Sequence, residues 1–157
     1  MVAKYQQAVR VYADTSVFGG VFDERFSASS RAFFELVKKG RFKLVTSPTL
    51  NAEIASAPGH IRDLYQEMLS ISEYVGASSA VESLHREYIL HGILSQKWEA
   101  DALHVASAVV AGCRLIVSWN FRHIVHFEKI PLYNAVNVLM GYGVIAIHSP
   151  LEVVESG

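Results

Sequence analysis

The sequence predicts an α/β fold, a three-layer α/β/α sandwich around a central parallel sheet. Short apolar runs alternate with longer segments of helical periodicity, which is typical of parallel strands joined by crossover helices. Residues 42–45 and 115–117 are largely apolar, as strands covered on both faces are. Because the 157 residues hold no repeat and no linker, we expect one domain spanning residues 1–157.

Capping and breaking residues set the expected elements of the first half. Ser27 or Ser29 is the expected N-cap of the first helix, and Gly40 ends it. Ser47 and Pro48, a cap followed by a first-turn proline, open the next helix. The predicted elements are, in order, a strand at 9–12, a helix at 27–39, a strand at 42–46, helices at 48–57 and 60–71, and a short strand at 74–75.

The second half follows the same pattern. Ser78 or Ser79 is the expected cap of a helix that Gly92 ends, and Ser95 begins a helix that stops before Gly112. The predicted elements are helices at 79–91 and 95–111, a strand at 115–117, a short helix or turn at 121–127, a helix at 131–140, a strand at 144–147 and a tail at 151–154.

Composition excludes several classes of protein. With 51% hydrophobic and 18% charged residues, the chain can build a packed core and is not disordered. No apolar run approaches the roughly 20 residues of a membrane helix, and residues 1–7 lack the apolar stretch of a signal peptide. Cys113 is the only cysteine and cannot form an internal disulfide. We therefore expect a cytoplasmic protein that does not bind membranes.

The charge balance gives little support for binding to duplex DNA. The net charge is −1 and the pI about 6.6, so the chain as a whole does not neutralise phosphates. Lys38, Lys39, Arg41 and Lys43 form the only basic cluster. Cations at a helix end commonly complement the helix dipole, and this interpretation is preferred to a nucleic-acid contact.

Three carboxylates lie in apolar surroundings. Asp14 follows the first strand, Glu53 shares the apolar side of its helix, and Asp101 lies on an alanine-rich helix face. Asp and Glu are almost never buried without a partner. Carboxylate oxygens suit hard divalent cations, and open α/β sheets bind ligands at the carboxyl ends of their strands. We therefore predict a metal-dependent enzyme, preferably a nuclease, whose three acids meet in one pocket.

Each of these residues also has a purely structural explanation. Asp14 could cap the turn that follows it, and Glu53 could be a solvated helix residue. Asp101 could pair with Lys97 at helical spacing. His104, on the same face as Asp101, fits a core histidine with satisfied hydrogen bonds better than a metal ligand. The prediction of a site therefore depends on the residues jointly.

Taken together, these segments resemble the PIN-domain ribonucleases, especially the toxin-type, VapC-like members of toxin–antitoxin pairs. Residues 11–17 look like the first acidic motif, which carries Asp14, and Glu53 matches the second acid. Residues 100–106, around the third acid, are the most specific stretch. Residues 117–123 are similar to the fourth motif, which follows a central strand. The likeness covers nearly the whole chain.

The resemblance implies a catalytic and metal-binding site of Asp14, Glu53 and Asp101 that holds Mg²⁺ or Mn²⁺ and cuts single-stranded RNA. Asn120 and His123 stand where many members carry Asp. Asn120 can still offer its carbonyl oxygen as a further metal ligand, but the smaller negative charge argues against a tightly held second metal. Whether Mg²⁺ or Mn²⁺ is preferred stays open, because both take oxygen ligands.

The resemblance and the positions of polar residues also suggest contacts and partners. Thr15 or Ser118 is expected to orient a phosphate or a water, and Arg122 is expected to contact a phosphate. Homodimers and inhibition by a small antitoxin protein are frequent in the family. Both are expected partners of this chain, beside single-stranded RNA.

Two other functions compete with the nuclease. An aspartate after the first strand followed by Thr15 also begins haloacid-dehalogenase-type phosphatases, but those carry a second Asp where this chain has Ser16. The stronger alternative is a catalytically weak or inactive module that binds RNA or a protein, because Asn120 and His123 replace acids. Metal-stimulated cleavage separates this module from the nuclease.

Overall fold

The structure, a computed structural model, describes residues 8–155; the stretch 1–7, for which no signal peptide is predicted, lies outside them. Five parallel strands form one sheet in the order β3-β2-β1-β4-β5. The strands are β1 (Val9–Ala13), β2 (Phe42–Thr46), β3 (Glu73–Tyr74), β4 (Leu115–Val117) and β5 (Ala146–His148). Helices flank the sheet, which confirms the predicted α/β class and its central parallel sheet.

Eight α-helices lie between and after the strands in this part of the chain. They are α1 (Thr15–Gly20), α2 (Ser27–Lys38), α3 (Pro48–Ala55), α4 (Gly59–Leu69), α5 (Ser79–Leu90), α6 (Glu99–Val110), α7 (Lys129–Leu139) and α8 (Pro150–Glu155). A single 3₁₀ turn, Gln96–Trp98, precedes α6. None of the helices in residues 8–155 is long and apolar enough to cross a membrane.

The strand order places a topological switch point between β1 and β4. The chain moves outward from β1 through β2 to β3, then returns to add β4 on the other side of β1. Because crossovers between parallel strands are right-handed, this reversal sends successive helices to opposite faces of the sheet. It also opens a crevice at the carboxyl ends of β1 and β4, where sheets of this kind bind ligands.

The two strands at the switch point are the most buried part of the sheet. Val11, Tyr12 and Ala13 of β1 are fully buried, as are Ile116 and Val117 of β4. Their apolar sequences reflect coverage on both faces. Ala13 is in register with Val117. The residues that follow them, Asp14 and Ser118, therefore lie side by side at the same edge of the sheet.

The cap predictions succeed where a serine faces a free helix start. Ser47 accepts a hydrogen bond from the Leu50 amide at 3.2 Å, and Ser78 caps α5 in the same way through the Val81 amide. The prediction that Ser27 or Ser29 caps α2 is wrong, because Phe26 precedes this helix without any side-chain cap. The hydroxyl of Ser27 instead donates to the Val21 carbonyl at 2.8 Å.

Two helices and one short segment differ from the prediction. Helix α1 begins directly at Thr15, in a stretch where no helix was predicted, because its two glycines hide the helical pattern. The predicted tail at 151–154 is helix α8. The residues after Ser95 form the 3₁₀ turn before α6 rather than the first turn of one continuous helix.

Candidate active site

Asp14 lies at the carboxyl end of β1 and precedes α1. Its side chain is buried, and its two carboxylate oxygens accept hydrogen bonds from Ser16 at 2.5 Å and from Ser118 at 2.8 Å. Burial raises the pKa of Asp14, although nearby His104 and the two hydroxyls lower it in part. Asp14 is therefore a carboxylate that neutral hydroxyl donors orient and whose charged form burial disfavours.

Glu53 enters the same region from α3. Its carboxylate accepts hydrogen bonds from the Thr15 hydroxyl at 2.6 Å and from Nε2 of His104. Burial acts to raise the pKa of Glu53, but the bonds from His104 and Thr15 outweigh it and the net pKa is lowered. Glu53 is thus a half-buried, ionised carboxylate held by two specific donors, rather than a freely solvated helix residue.

His104 connects Glu53 to the interior of the sheet. Its other ring nitrogen, Nδ1, lies 2.6 Å from the Tyr12 hydroxyl, which in turn lies 2.7 Å from Oγ of Ser47. Burial raises the pKa of Tyr12 well above its ordinary value, so this hydroxyl keeps its proton. The sequence-based expectation of a satisfied core histidine is confirmed, with the addition that this histidine holds Glu53.

Replacing Tyr12 by Phe is expected to destabilise the fold by about 1–3 kcal/mol, because it removes a bond to the buried Nδ1 of His104. His104 would then also hold Glu53 less firmly. Chemical denaturation of both proteins measures the change in stability. Tyr74→Phe, at an exposed tyrosine, is the control and should stay within about 0.5 kcal/mol of the wild type. Equal stability of Tyr12→Phe and wild type would contradict a stabilising role for the hydrogen bond between Tyr12 and His104.

Asp101 lies in the first turn of α6 and pairs with a histidine from the segment after β4. Its Oδ2 is 2.8 Å from Nδ1 of His123, and its side chain keeps 22% of its exposure. The alternative pairing with Lys97 is wrong: the Lys97 ammonium lies 5.1 Å from the ring centroid of Trp98. Asp101 therefore has a specific partner that sequence spacing along α6 could not indicate.

A chain of hydrogen bonds connects Asp14 to Asp101. Ser118, which donates to Asp14, accepts from the amide of Asn120 at 2.9 Å. The side-chain oxygen of Asn120 accepts from the amide of His123 at 2.9 Å, and His123 pairs with Asp101. The turn after β4 thus fixes the spatial relation between two of the predicted acids.

The predicted site residues, apart from Arg122, belong to two such hydrogen-bonded chains. One contains Asp14, Ser118, Asn120 and Asp101, and the other joins Thr15 to Glu53. Ser118 is fully buried, which favours a role in orienting Asp14 over the predicted contact with RNA. The guanidinium of Arg122 is exposed and lies 5.1 Å from the ring centroid of Trp98.

The donor atoms match a hard cation in kind, but the acids do not form the expected three-acid cluster. Within residues 8–155, no three His, Cys, Asp or Glu side chains lie close enough together to hold one metal ion. Two of the acids pair instead with their own histidines, His104 and His123. Because Mg²⁺ usually binds through one or two carboxylates, several waters and substrate phosphates, the oxygen-rich edge still suits this ion.

The basic cluster lies away from this edge. Arg41 precedes β2, so it is at the amino end of the strands, opposite Asp14. Lys38 pairs with Glu67 at 3.1 Å, and the ammonium of Lys43 donates to the Ile71 carbonyl. These contacts support the structural interpretation of the cluster over a phosphate-binding one.

Sequence reasoning missed three residues at this edge. His123 was noted only as a replacement for an acid, His104 only as a core residue, and Trp98, whose ring lies 4.5 Å from that of His123, was not considered. The sequence offered one signal, two neighbouring pairs of a cation and a ring. These are Lys97-Trp98, shortly before Asp101, and Arg122-His123, in the segment after β4.

No family model and no curated protein match this sequence. Solved structures do match. A chain of VapBC2 from Rickettsia felis, crystallised bound to a DNA fragment from their promoter, gives a TM-score of 0.58 over 90% of this chain and 98% of that one, at 14% identity. A chain of FitAcB from Neisseria gonorrhoeae gives 0.57 over the same shares, also at 14% identity. The chain has a VapC-like fold.

At this level of identity the likeness concerns the path of the backbone. Any activity therefore depends on the side chains at the switch point. There, three carboxylates are held by hydroxyls and histidines at the carboxyl edge of the sheet.

Proposed function

We propose that this chain is a metal-dependent endoribonuclease that hydrolyses phosphodiester bonds of single-stranded RNA, similar to the toxin-type PIN-domain proteins. One observation carries the proposal. Asp14, Glu53 and Asp101 come from distant segments to the switch-point edge, and within residues 8–155 no Lys or Arg pairs with any of them. A carboxylate as buried as Asp14 needs another source of positive charge when no cationic side chain pairs with it, and the partly buried Glu53 and Asp101 lie at the same edge.

A divalent cation fits that need. Asp14 and Asp101 would hold Mg²⁺ or Mn²⁺, with Glu53 and the Asn120 carbonyl oxygen acting directly or through water. When bound, such an ion supplies a nucleophile at neutral pH and neutralises the charge that develops on the phosphate. Mg²⁺ and Mn²⁺ both accept this donor set, so metal titrations have to determine which of them binds more tightly.

The chain's own residues position the acids. Ser16 and Ser118 fix both oxygens of Asp14, Thr15 and His104 fix Glu53, and His123 fixes Asp101. Ligand carboxylates need this kind of support to keep their orientation when substrate enters. Arg122 is exposed at the same end of the sheet and would supply a positive charge for the RNA backbone.

We also propose that the chain acts with protein partners, a second copy of itself and a small antitoxin protein. Support comes from the resemblance of its motifs to toxin-type members and from the VapBC2 and FitAcB structures that share its fold. Size-exclusion chromatography with light scattering tests the homodimer. Co-purification with the product of an adjacent small reading frame tests the antitoxin.

One specific observation favours a second candidate, a module that binds RNA but does not cut it. His104 and His123 each occupy an oxygen of a predicted metal ligand. A histidine bonded to a carboxylate oxygen leaves one fewer ligand position for a cation. The chain would then keep its RNA surface without a competent metal site.

Incubation with a labelled, unstructured RNA distinguishes the two candidates. We expect cleavage with Mn²⁺ or Mg²⁺ and no cleavage with excess EDTA. Thermal unfolding is measured with and without Mn²⁺ in parallel, and the nuclease should show a higher melting temperature with the metal. RNA binding without metal-stimulated cleavage and without a thermal shift would favour the binding module.

A further inference from the structure

Trp98 and two neighbouring cations form a surface cluster beside Asp101. Trp98 ends the 3₁₀ turn just before α6 and is partly exposed. The guanidinium of Arg122 and the ammonium of Lys97 each lie 5.1 Å from the centroid of its indole ring. The ring also packs on His123 with a centroid distance of 4.5 Å, and His123 holds Asp101. We name Trp98, Lys97 and Arg122 the Trp98 platform.

The ring of Trp98 has different neighbours from the ring of Trp119, the other tryptophan of the chain. The indole N–H of Trp119 donates to Ser30 at 2.8 Å, and its ring stacks on Phe26 at 4.3 Å. A Cβ at Gly20 would come within 2.8 Å of that indole nitrogen, so Trp119 is wedged into the structure. Trp98 also packs against the core and on His123, but its ring is in addition approached by two exposed cations.

We propose that the Trp98 platform is a nucleobase-stacking subsite, in which the indole ring stacks on one base of single-stranded RNA. Arg122 and Lys97 then contact the phosphates on either side of that base. Stacking on an aromatic side chain next to backbone-tracking cations is how proteins hold single strands. The inference rests on the proposed function for its substrate class, and it assigns a place on the chain where that substrate is held.

The relative strengths of the two kinds of contact allow a base to take the ring from the cations. At an exposed site a cation over an aromatic ring is favourable by about two- to fivefold in an equilibrium constant. Stacking of a base on an aromatic side chain is worth about five- to hundredfold in affinity. A base therefore displaces a cation from the ring, and the released charge lies next to the nucleotide's own phosphate.

The position of the platform ties the bound base to the candidate acids. Trp98 is separated from Asp101 by two residues, and Arg122 is followed directly by His123. Both arms of the platform thus continue into the hydrogen bond between Asp101 Oδ2 and His123 Nδ1, whose atoms are 2.8 Å apart. A nucleotide stacked on Trp98 would be anchored one short step from the carboxylates, which orients the strand across the switch-point edge.

The test measures binding of a short single-stranded RNA, such as octauridylate and octaadenylate, in EDTA so that no cleavage occurs. Trp98→Ala should weaken binding by about five- to hundredfold and Trp98→Phe by much less, since phenylalanine keeps a stacking face. Phe127→Ala removes a more exposed aromatic ring, which stacks on His126 instead, and should bind like the wild type. RNA should quench tryptophan fluorescence in the wild type and far less in Trp98→Phe, which retains Trp119.

Salt dependence separates stacking from phosphate contacts. Trp98→Ala should lower affinity at every salt concentration with an unchanged slope of log K against log salt. Arg122→Ala should reduce that slope by about 0.7 for each lost phosphate contact. Circular dichroism and melting temperature of each variant check that the fold is kept.

The outcomes distinguish this inference from the nuclease proposal. Trp98-dependent binding without metal-stimulated cleavage supports the platform and contradicts the nuclease. Cleavage and binding that are both unaffected by Trp98→Ala overturn the platform and leave the nuclease in place. A wild-type protein that binds neither oligonucleotide overturns the platform, whatever the result of the cleavage assay.

Discussion

Replacing Asp101 by Asn is expected to abolish RNA cleavage while leaving the fold intact. The substitution removes one negative charge from the proposed metal site, and loss of several kcal/mol of charge stabilisation corresponds to a rate at least about a hundredfold lower. The side-chain oxygen of Asn can still accept from His123, the present partner of Asp101 at 2.8 Å. Stability should therefore change by no more than about 1 kcal/mol.

Initial rates with Mn²⁺ and unfolding curves of both proteins give the two measurements. Asp63→Asn, which removes the same charge from an exposed position on α4, is the matched control and should cut RNA at the wild-type rate. Wild-type cleavage by the Asp101→Asn protein would remove Asp101 from the site. Loss of activity together with loss of the fold would show that its pairing with His123 is structural instead.

Asp14→Asn is expected to abolish cleavage but, without metal, to leave the protein as stable as the wild type or more stable. Burial raises the pKa of Asp14, so its ionised form is held at an energetic disadvantage in the folded protein. An amide of the same shape carries no charge and can still accept one of the two serine hydroxyl bonds. Activity and stability should therefore change in opposite directions.

The pH dependence of that stability difference provides the check. A carboxyl whose pKa is higher in the folded than in the unfolded state favours folding only at low pH, and that contribution is lost as the pH rises through the folded-state pKa. The advantage of Asp14→Asn should thus be largest near neutral pH and vanish below the ordinary value of 3.8. Melting temperatures in EDTA across this range measure it. A variant less stable than wild type at pH 7 would show that the serine bonds outweigh desolvation.

Much of the sheet could be predicted because its signals are local. Residues 42–46 and 115–117 are strands as expected, since short, largely apolar runs between turn residues are typical of strands in a covered parallel sheet. Ser47 and Pro48 begin α3 as expected because both act within one helical turn. Helix α1 was missed because Gly19 and Gly20 weaken the very pattern that reveals helices.

The candidate site could be predicted in composition but not in its pairings. Asp14 at the end of β1 follows from the position of a strand, whereas the bond between Asp101 and His123 depends on how the turn after β4 packs against α6. Nothing in the spacing of α6 separates that pairing from one with Lys97. The metal-holding role of the acids and the identity of the ion stay predictions for the same reason, because they depend on contacts between segments.

The placement of β1 beside β4 has a consequence for when the chain can act during its synthesis. Asp14 receives its bond from Ser118, which follows it by 104 residues. A growing polypeptide on the ribosome can pair β1 with β2 early, but the second wall of the crevice does not exist until β4 has emerged. Such high contact order slows folding. The proposed hydrolytic centre would thus be completed only after β4 has been made, late in the synthesis of the chain.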